Sequence, residues 1–204
     1  MALYKGETLI VDEFIKDPIP ENSVIFFNHY GRYFYAMKTL GVNKNDCIAD
    51  SSCGNGYGSY GLTSNAKYVY GLDINDTYLE LARNNFKKDN LTFCTYNEFY
   101  DKKIKLDKII CIETLEHIPK ENSIEFIDNL INSLKENGSM FVTTPLGNND
   151  ASTYNPYHLN EMSIDVLYNI FSKYFKSINI EIDSFVNSFG YECQYAYFIL
   201  KNKI

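Results

Sequence analysis

The chain has 204 residues, 45% of them hydrophobic, and a formal net charge of −7 with a pI near 5.0. A chain of this size and composition can bury one sizeable core, so we expect one domain. The acidic balance, without any run of basic residues, disfavours nucleic acid as a partner, because phosphate backbones are held by patches of Lys and Arg.

The sequence offers no sign of a membrane, a disulfide or a metal site. No segment approaches the ~20 apolar residues that span a bilayer, so we expect a cytoplasmic protein without a membrane partner. Five cysteines, odd in number and without C-x-x-C spacing, are interpreted as reduced and mostly buried thiols. Neither they nor the three histidines have the spacing of zinc ligands, so no metal is predicted.

The first predicted elements alternate between helix and strand. "PENSVIFFNHYGRYFYAMKTLG" predicts a helix over about 22–40. The apolar run "CIA" predicts a short buried strand that ends at Asp50, and a helix over about 57–64 follows a glycine-rich loop. "KYVYGLD" predicts the next strand, which ends at Asp73.

The following stretch repeats this alternation. An amphipathic helix is indicated by apolar residues at Tyr78, Leu79, Leu81, Ala82 and Phe86. "LTFCTY" and "DKIICI" predict two further strands, separated by a polar loop that contains Asn97 and Glu98.

The last elements are two helices and three strands. "ENSIEFIDNLINSLKENG" predicts a helix that Gly138 ends, with one apolar face formed by Ile124, Ile127, Leu130, Ile131 and Leu134. "SMFVTT" predicts a strand closed by Pro145, and "SIDVLYNIFSKYF" a helix with Ser163 as N-cap. "KSINIEID" and "CQYAYFILK" alternate and predict an antiparallel pair.

This order predicts an α/β fold with a doubly wound, mostly parallel seven-stranded sheet and an antiparallel C-terminal hairpin. Right-handed crossovers place the ends of parallel strands at one edge of the sheet, where ligands bind. Asp50, Asp73, Asn97 and Glu113 each lie at or just beyond a strand end, so we expect them to converge on one crevice.

The loop "DSSCGNGYGSYG" allows two interpretations. From Gly56 it matches the G-x-G-x-x-G pattern of dinucleotide-binding proteins, whereas from Asp50 it is an acidic strand end followed by glycines. A carboxylate at this point would repel a pyrophosphate, and it suits a cationic or zwitterionic ligand such as S-adenosylmethionine. Asp73, at the next strand end, is placed to accept both ribose hydroxyls.

Together these residues resemble a class I, Rossmann-like, S-adenosylmethionine-dependent methyltransferase of the small-molecule type, over about 22–144. "IADSSCGNG" resembles the first motif of the family, with Ser52 where a glycine is usual. "VYGLDIN" resembles the second, which implies Asp73 on the ribose and Ile74 beside the adenine. "TYNEF" falls where relatives bind the adenine amino group, and Asn97 can accept that hydrogen bond.

The resemblance continues in "IICIETLEHIP" and "LKENGSMFVTTP", the fourth and fifth strands of the family. "NPYHLNEMS" resembles a loop over the active site, and "NHYGRYFYA" resembles a helix that covers the methionine end of the cofactor. The implied organisation is one domain over 1–204, with a helical lid over 1–42 and a Rossmann-like core over 43–204. The implied cofactor-binding residues are Arg32, Asp50, Ser51, Ser52, Gly54, Gly56, Asp73, Ile74, Asn97, Glu98 and Glu113.

His117 and His158 are the candidate catalytic bases, because both fall in loops over the expected crevice and a hydroxyl nucleophile must lose its proton. A structural role for His117 beside Glu116, and a surface position for His158, are the alternatives. Arg32 would bind the cofactor carboxylate or an anionic substrate, or is an ordinary solvated helix residue. Tyr30, Tyr33 and Tyr157 are candidates for the acceptor pocket.

The predicted activity is methylation of a small, anionic or hydroxyl-rich acceptor. O-methylation is favoured modestly over N-methylation, and the resemblance of the two covering segments implies a sugar or cell-surface glycan precursor. A non-catalytic cofactor-binding module is the alternative from another class. A nicotinamide oxidoreductase is disfavoured by Asp50.

Overall fold

The computed structural model of the protein contains one long sheet, flanking helices and a short two-stranded sheet. It describes residues 2–5, 8–11, 29–150, 152, 155–186 and 192–204. The chain divides into two compact units, Met1–Leu106 and Asp107–Ile204. The single-domain organisation with a lid over 1–42 stays a prediction.

The first unit alternates strands and helices after its N-terminal strand pair. Its strands are β1 (Ala2–Lys5), β2 (Thr8–Val11), β3 (Cys47–Ser51), β4 (Tyr68–Asp73) and β5 (Leu91–Thr95). Its helices are α1 (His29–Leu40), α2 (Tyr57–Leu62), α3 (Asp76–Asn85) and α4 (Tyr96–Asp101). The predicted helix over 22–40 is confirmed from His29 onward, and its residues 22–28 lie outside the described residues.

From Leu106 onward the chain carries longer strands. They are β6 (Leu106–Ile112), β7 (Leu134–Pro145), β8 (Phe175–Val186) and β9 (Glu192–Lys203). The helices are the single 3₁₀ turn Leu115–His117, α5 (Lys120–Ser133) and α6 (Ile164–Phe171).

The strands of the long sheet follow the order β5-β4-β3-β6-β7-β9-β8. β3 pairs with β4, and β4 with β5, in parallel, whereas β9 pairs antiparallel with both β7 and β8. The predicted antiparallel C-terminal hairpin is therefore confirmed. In β3, Ile48, Ala49 and Asp50 are all fully buried, as expected of a strand covered on both faces.

The chain after β5 differs from the prediction, because Asn97 and Glu98 lie in helix α4 and not in a loop. Thr95 caps this helix: its hydroxyl accepts the Glu98 N–H (3.3 Å), and the Glu98 carboxylate accepts the Thr95 N–H (2.8 Å). This reciprocal capping box has the sequence pattern T-x-x-E, which is a local signal for the start of a helix.

The boundary between α5 and β7 also differs from the prediction. The helix ends at Ser133, because Leu134 adopts an extended backbone and begins the strand, so Gly138 lies within β7. Ile127, Leu130 and Ile131 are buried as predicted, but Ile124 is 49% exposed. Leu134 is buried too, but as the first residue of β7 and not as part of the apolar face of α5.

Of the residues predicted for the apolar face of α3, Leu79 and Ala82 are buried, whereas Leu81 is 38% exposed. Ser163 is the N-cap residue of α6, although its side chain makes no capping bond and its N–H donates to Asn149 Oδ1 at 2.8 Å. All five cysteines are free thiols, three of them buried. Among the described residues no helix combines the length and apolarity that a membrane crossing requires.

Candidate active site

The loop between β3 and α2 has three residues in the left-handed region of backbone space: Ser52 (φ 59°), Gly54 (φ 55°) and Gly56 (φ 91°). Glycine adopts this conformation at no steric cost, whereas the Cβ of Ser52 is strained there. At Gly56 an added Cβ would lie 2.6 Å from Phe93 Cζ and 2.7 Å from Ala82 Cβ. Gly56 is thus required both by its backbone and by the packing beneath the loop.

Tyr96, the first residue of α4, braces this loop. Its hydroxyl accepts the N–H of Ser52 at 2.9 Å and lies 2.8 Å from Ser51 Oγ and 3.0 Å from Ser52 Oγ. These contacts converge on the one position where the loop departs from the glycine usual in the family. Tyr96 was not predicted as a site residue, because "LTFCTY" was interpreted as a strand that ends at Tyr96 and the residues after it as a loop.

Asp50 is oriented toward the protein interior. Its carboxylate is wholly buried, with Oδ1 accepting the hydroxyl of Tyr33 at 3.0 Å and Oδ2 that of Ser59 at 2.6 Å. Burial raises the pKa of Asp50 to about 7, although the hydrogen bonds from Ser59 and Tyr33 lower it. Asp50 therefore ties α1 and α2 to the end of β3, and its predicted effect on the choice of cofactor stays a prediction.

Tyr33 and Arg32 show the same inward orientation of α1. Tyr33 is buried against Tyr57, with ring centroids 5.9 Å apart, so it belongs to the core and not to an acceptor pocket. Arg32 is only 8% exposed, which excludes the alternative of an ordinary solvated helix residue. A cofactor or substrate contact by Arg32 stays a prediction.

Asp73 closes the glycine loop from the end of β4. Oδ2 accepts the N–H of Gly54 at 2.8 Å, and Oδ1 accepts the N–H of Asn75 at 2.9 Å. Burial raises the pKa of Asp73, while the bonds from Asn75 and Gly54 lower it. A carboxylate has about four acceptor sites, so these two bonds leave capacity for a ligand's hydroxyl groups.

The next residue, Ile74, is 87% exposed. An exposed aliphatic side chain beside a carboxylate at a strand end fits the adenine and ribose of S-adenosylmethionine. Contacts of Asp73, Ile74 and Gly54 with this cofactor stay a prediction. Asn97 is exposed in the first turn of α4, and its contact with adenine stays a prediction. Glu98 also lies there, but its carboxylate caps the helix through Thr95.

In the second unit, Glu113 follows β6 with a left-handed backbone (φ 48°). Its N–H donates to the carbonyl of Thr143 at 3.0 Å, and its Oε1 accepts the Thr143 hydroxyl at 2.8 Å. These bonds to β7 hold the half-buried carboxylate in one orientation at the end of the strand.

Glu116, in the 3₁₀ turn, connects this strand end to the loop "NPYHLN". Its backbone carbonyl accepts the N–H groups of Leu159 (2.7 Å) and Asn160 (3.1 Å), and its wholly buried side chain accepts the hydroxyl of Thr144 at 3.1 Å. The sequence analysis considered Glu116 only as a neighbour of His117. The structure makes it the residue that joins the two segments carrying the histidines.

The two predicted histidines lie together. Their ring centroids are 5.1 Å apart at an angle of 80°. His158 is only 9% exposed, which excludes the surface alternative, and its Nδ1 lies 2.6 Å from Glu161 Oε1. His117 Nδ1 lies 3.0 Å from the carbonyl oxygen of Tyr157, whose side chain is exposed.

Comparison with known proteins agrees with this geometry. Residues 48–138 match the family model described as "Methyltransferase domain". A ubiquinone biosynthesis O-methyltransferase from Glaesserella parasuis is 32% identical over 106 residues, which cover 48% of this chain and 44% of that relative. The chain therefore spans less than half of the length of that relative.

Two solved structures show the same fold. The crystal structure of the MccD protein matches with a TM-score of 0.67 at 15% identity. The match covers 83% of this chain and 96% of the MccD chain. A putative S-adenosylmethionine-dependent methyltransferase from Listeria monocytogenes matches with a TM-score of 0.64 at 11% identity. The match covers 85% of this chain and 99% of the Listeria chain. These two structures confirm the predicted fold class, and the match over residues 48–138 agrees with the predicted resemblance and with S-adenosylmethionine as the cofactor.

Proposed function

We propose that the protein is an S-adenosylmethionine-dependent methyltransferase that acts on a hydroxyl group of a small molecule. The observation that carries the choice of a hydroxyl is the pair formed by His158 and Glu161, whose Nδ1 and Oε1 atoms are 2.6 Å apart. A histidine held by a carboxylate is a typical means of taking a proton from a weak oxygen acid, and an amine nucleophile has less need of it.

The pair works through the orientation of one ring. In the tautomer that donates Nδ1–H to Glu161, the ring presents Nε2 as its proton acceptor. Proton transfer of this kind contributes roughly 10²–10⁴-fold to a rate. When bound, S-adenosylmethionine supplies a methyl group activated by a sulfonium sulfur.

The first unit supports the cofactor side of the proposal. Its glycine loop has Ser52, Gly54 and Gly56 in the left-handed region, and the Asp73 carboxylate accepts the Gly54 N–H. Positioning of this kind is the main contribution that a protein makes when the cofactor carries the reactive group.

Two acceptor classes are consistent with the proposal. Curated relatives are named for an O-methylation in ubiquinone biosynthesis, and the sequence resemblance implies a sugar or cell-surface glycan precursor. Both are small molecules, which accords with a net charge of −7 better than a nucleic acid does. N-methylation of a small amine is the alternative within the same cofactor chemistry.

A direct test uses binding and turnover together. Calorimetry should show binding of S-adenosylhomocysteine and none of NAD. Methyl transfer from labelled S-adenosylmethionine is then measured with panels of hydroxyl acceptors, amines and RNA, and only the hydroxyl panel should be labelled. Labelling confined to amines or RNA would contradict the proposed acceptor. Binding of NAD without the homocysteine product would contradict the enzyme class.

A further inference from the structure

We propose that Glu116, His117 and His158 form a binding site for one divalent transition-metal ion, with Zn²⁺ as the best fit. One potential ligand atom from each residue lies within 4.8 Å of the other two, and His117 Nε2 is 3.9 Å from Glu116 Oε1. Donors around tetrahedral zinc, with bonds of about 2.0–2.1 Å, are roughly 3.3 Å apart. Small side-chain rotations would therefore bring the three ligand atoms to bonding distance from one ion.

The outer contacts of the two rings are those of metal ligands. A histidine that binds a metal through one nitrogen usually donates the other N–H to a carboxylate or a backbone carbonyl. His158 Nδ1 lies within hydrogen-bond distance of Glu161 Oε1, and His117 Nδ1 lies within hydrogen-bond distance of the Tyr157 carbonyl oxygen. Both rings would accordingly ligate through Nε2.

The carboxylate of Glu116 is oriented in a matching way. Its Oε2 accepts the hydroxyl of Thr144 at 3.1 Å, and Oε1 is the oxygen that approaches His117. Glu116 is wholly buried, and a buried carboxylate is stable when it is paired or coordinates a metal. The Glu116 carbonyl also bonds the N–H groups of Leu159 and Asn160, which fixes the loop that carries His158.

The donor set indicates the class of ion. Two imidazoles and one carboxylate suit Zn²⁺ and similar first-row metals better than Mg²⁺ or Ca²⁺, which prefer oxygen ligands. Catalytic zinc sites use three protein ligands and keep a further position for water or substrate. The His117 side chain is 30% exposed, so this position would be reached from its side of the cluster.

The metal site deepens the proposed function, and its role in turnover rests on that function. A hydroxyl bound to the ion would release its proton to solvent water more readily, as metal-bound water does. His158 Nε2 cannot bind a metal and accept that proton at the same time. The loaded and metal-free proteins would therefore activate the acceptor in different ways.

Metal binding can be measured without any acceptor. The full chain is stripped with a chelator, and Zn²⁺ and Co²⁺ are added in calorimetric and absorbance titrations. We expect one ion per chain, with the visible bands of four- or five-coordinate Co²⁺. His117→Ala and His158→Ala should each weaken binding at least tenfold, and Glu161→Gln, which changes an outer partner, about 10–100-fold.

Matched variants keep this test interpretable. Glu116→Gln removes a ligand from a buried position, whereas Glu121→Gln makes the same change at an exposed position of α5 and should bind the ion normally. Thermal unfolding without metal establishes whether each variant folds. If Glu116→Gln does not fold, His117→Ala tests the site instead, because the His117 side chain is partly exposed. Absence of 1:1 binding, or binding that both histidine variants retain, would overturn the proposal.

The metal site and the proposed function fail separately. If Zn²⁺ does not bind but the stripped protein methylates a hydroxyl, the metal site is wrong and the histidine base stands. If Zn²⁺ binds through these residues but no hydroxyl acceptor is labelled, the metal site stands and the proposed function is wrong.

Discussion

The glycine loop of the first unit and the histidine cluster of the second are both polar, but they use their side chains differently. Around the loop the side chains hold the protein together: Asp50 bonds Tyr33 and Ser59, and Tyr96 bonds two consecutive serines. In the cluster, contacts at Nδ1 orient the rings of His117 and His158, and Nε2 of each ring is the atom proposed to act on the acceptor or a metal.

This difference separates the expected effects of substitution. Changes in side chains around the loop should alter folding and cofactor affinity, because these side chains hold the loop and the elements next to it in place. Changes in the cluster should alter turnover at nearly constant cofactor affinity.

Asp50→Ala should lower the free energy of unfolding by about 2–5 kcal/mol, because it leaves the hydroxyls of Tyr33 and Ser59 buried without their common acceptor. Urea unfolding measures the change. Asp76→Ala, an exposed aspartate in the first turn of α3, is the control and should cost no more than about 1 kcal/mol. Equal effects of the two substitutions would show that Asp50 does not join the helices to β3.

His158→Ala should reduce turnover about 10²-fold or more, with the dissociation constant for S-adenosylhomocysteine near that of the wild type. Leu159→Ala changes an exposed side chain of the same loop and serves as the control. Steady-state kinetics and calorimetry are the measurements. A wild-type rate with the true acceptor would remove His158 from the chemistry and favour an amine nucleophile.

Asp73→Ala should weaken binding of S-adenosylhomocysteine by roughly 1–3 kcal/mol, the cost of losing hydrogen bonds to a charged acceptor. Asp76→Ala again provides the matched change and should bind normally. If calorimetry gives the same dissociation constant for Asp73→Ala and the wild type, the ribose is held by other residues.

Tyr96→Phe should weaken binding of the same ligand by about 1 kcal/mol, because the loop loses the hydroxyl that holds Ser51 and Ser52. In a Ser52→Gly background the loss should be smaller, since glycine adopts the left-handed conformation without support. A double-mutant cycle measures this coupling. Additive effects would show that Tyr96 does not compensate for Ser52.

Local patterns in the sequence determined much of the fold and part of the site. The ends of β3 and β4 at Ser51 and Asp73 follow from short apolar runs that stop at polar residues. The left-handed turn at Gly54 and Gly56 follows from residue types that tolerate it. Helix α4 was also encoded locally, in the capping pattern of Thr95 and Glu98, although the sequence analysis did not use it.

Tertiary structure alone decided which groups these side chains meet. A strand end predicts that Asp50 lies at the sheet edge, but only the packing of α1 and α2 turns Tyr33 and Ser59 onto its two oxygens. His117 and His158 are far apart in sequence. Their ring centroids are 5.1 Å apart because the Glu116 carbonyl accepts the N–H groups of the two residues after His158. Periodicity reports which face of an element is buried, whereas the partner of a polar group depends on contacts between distant segments.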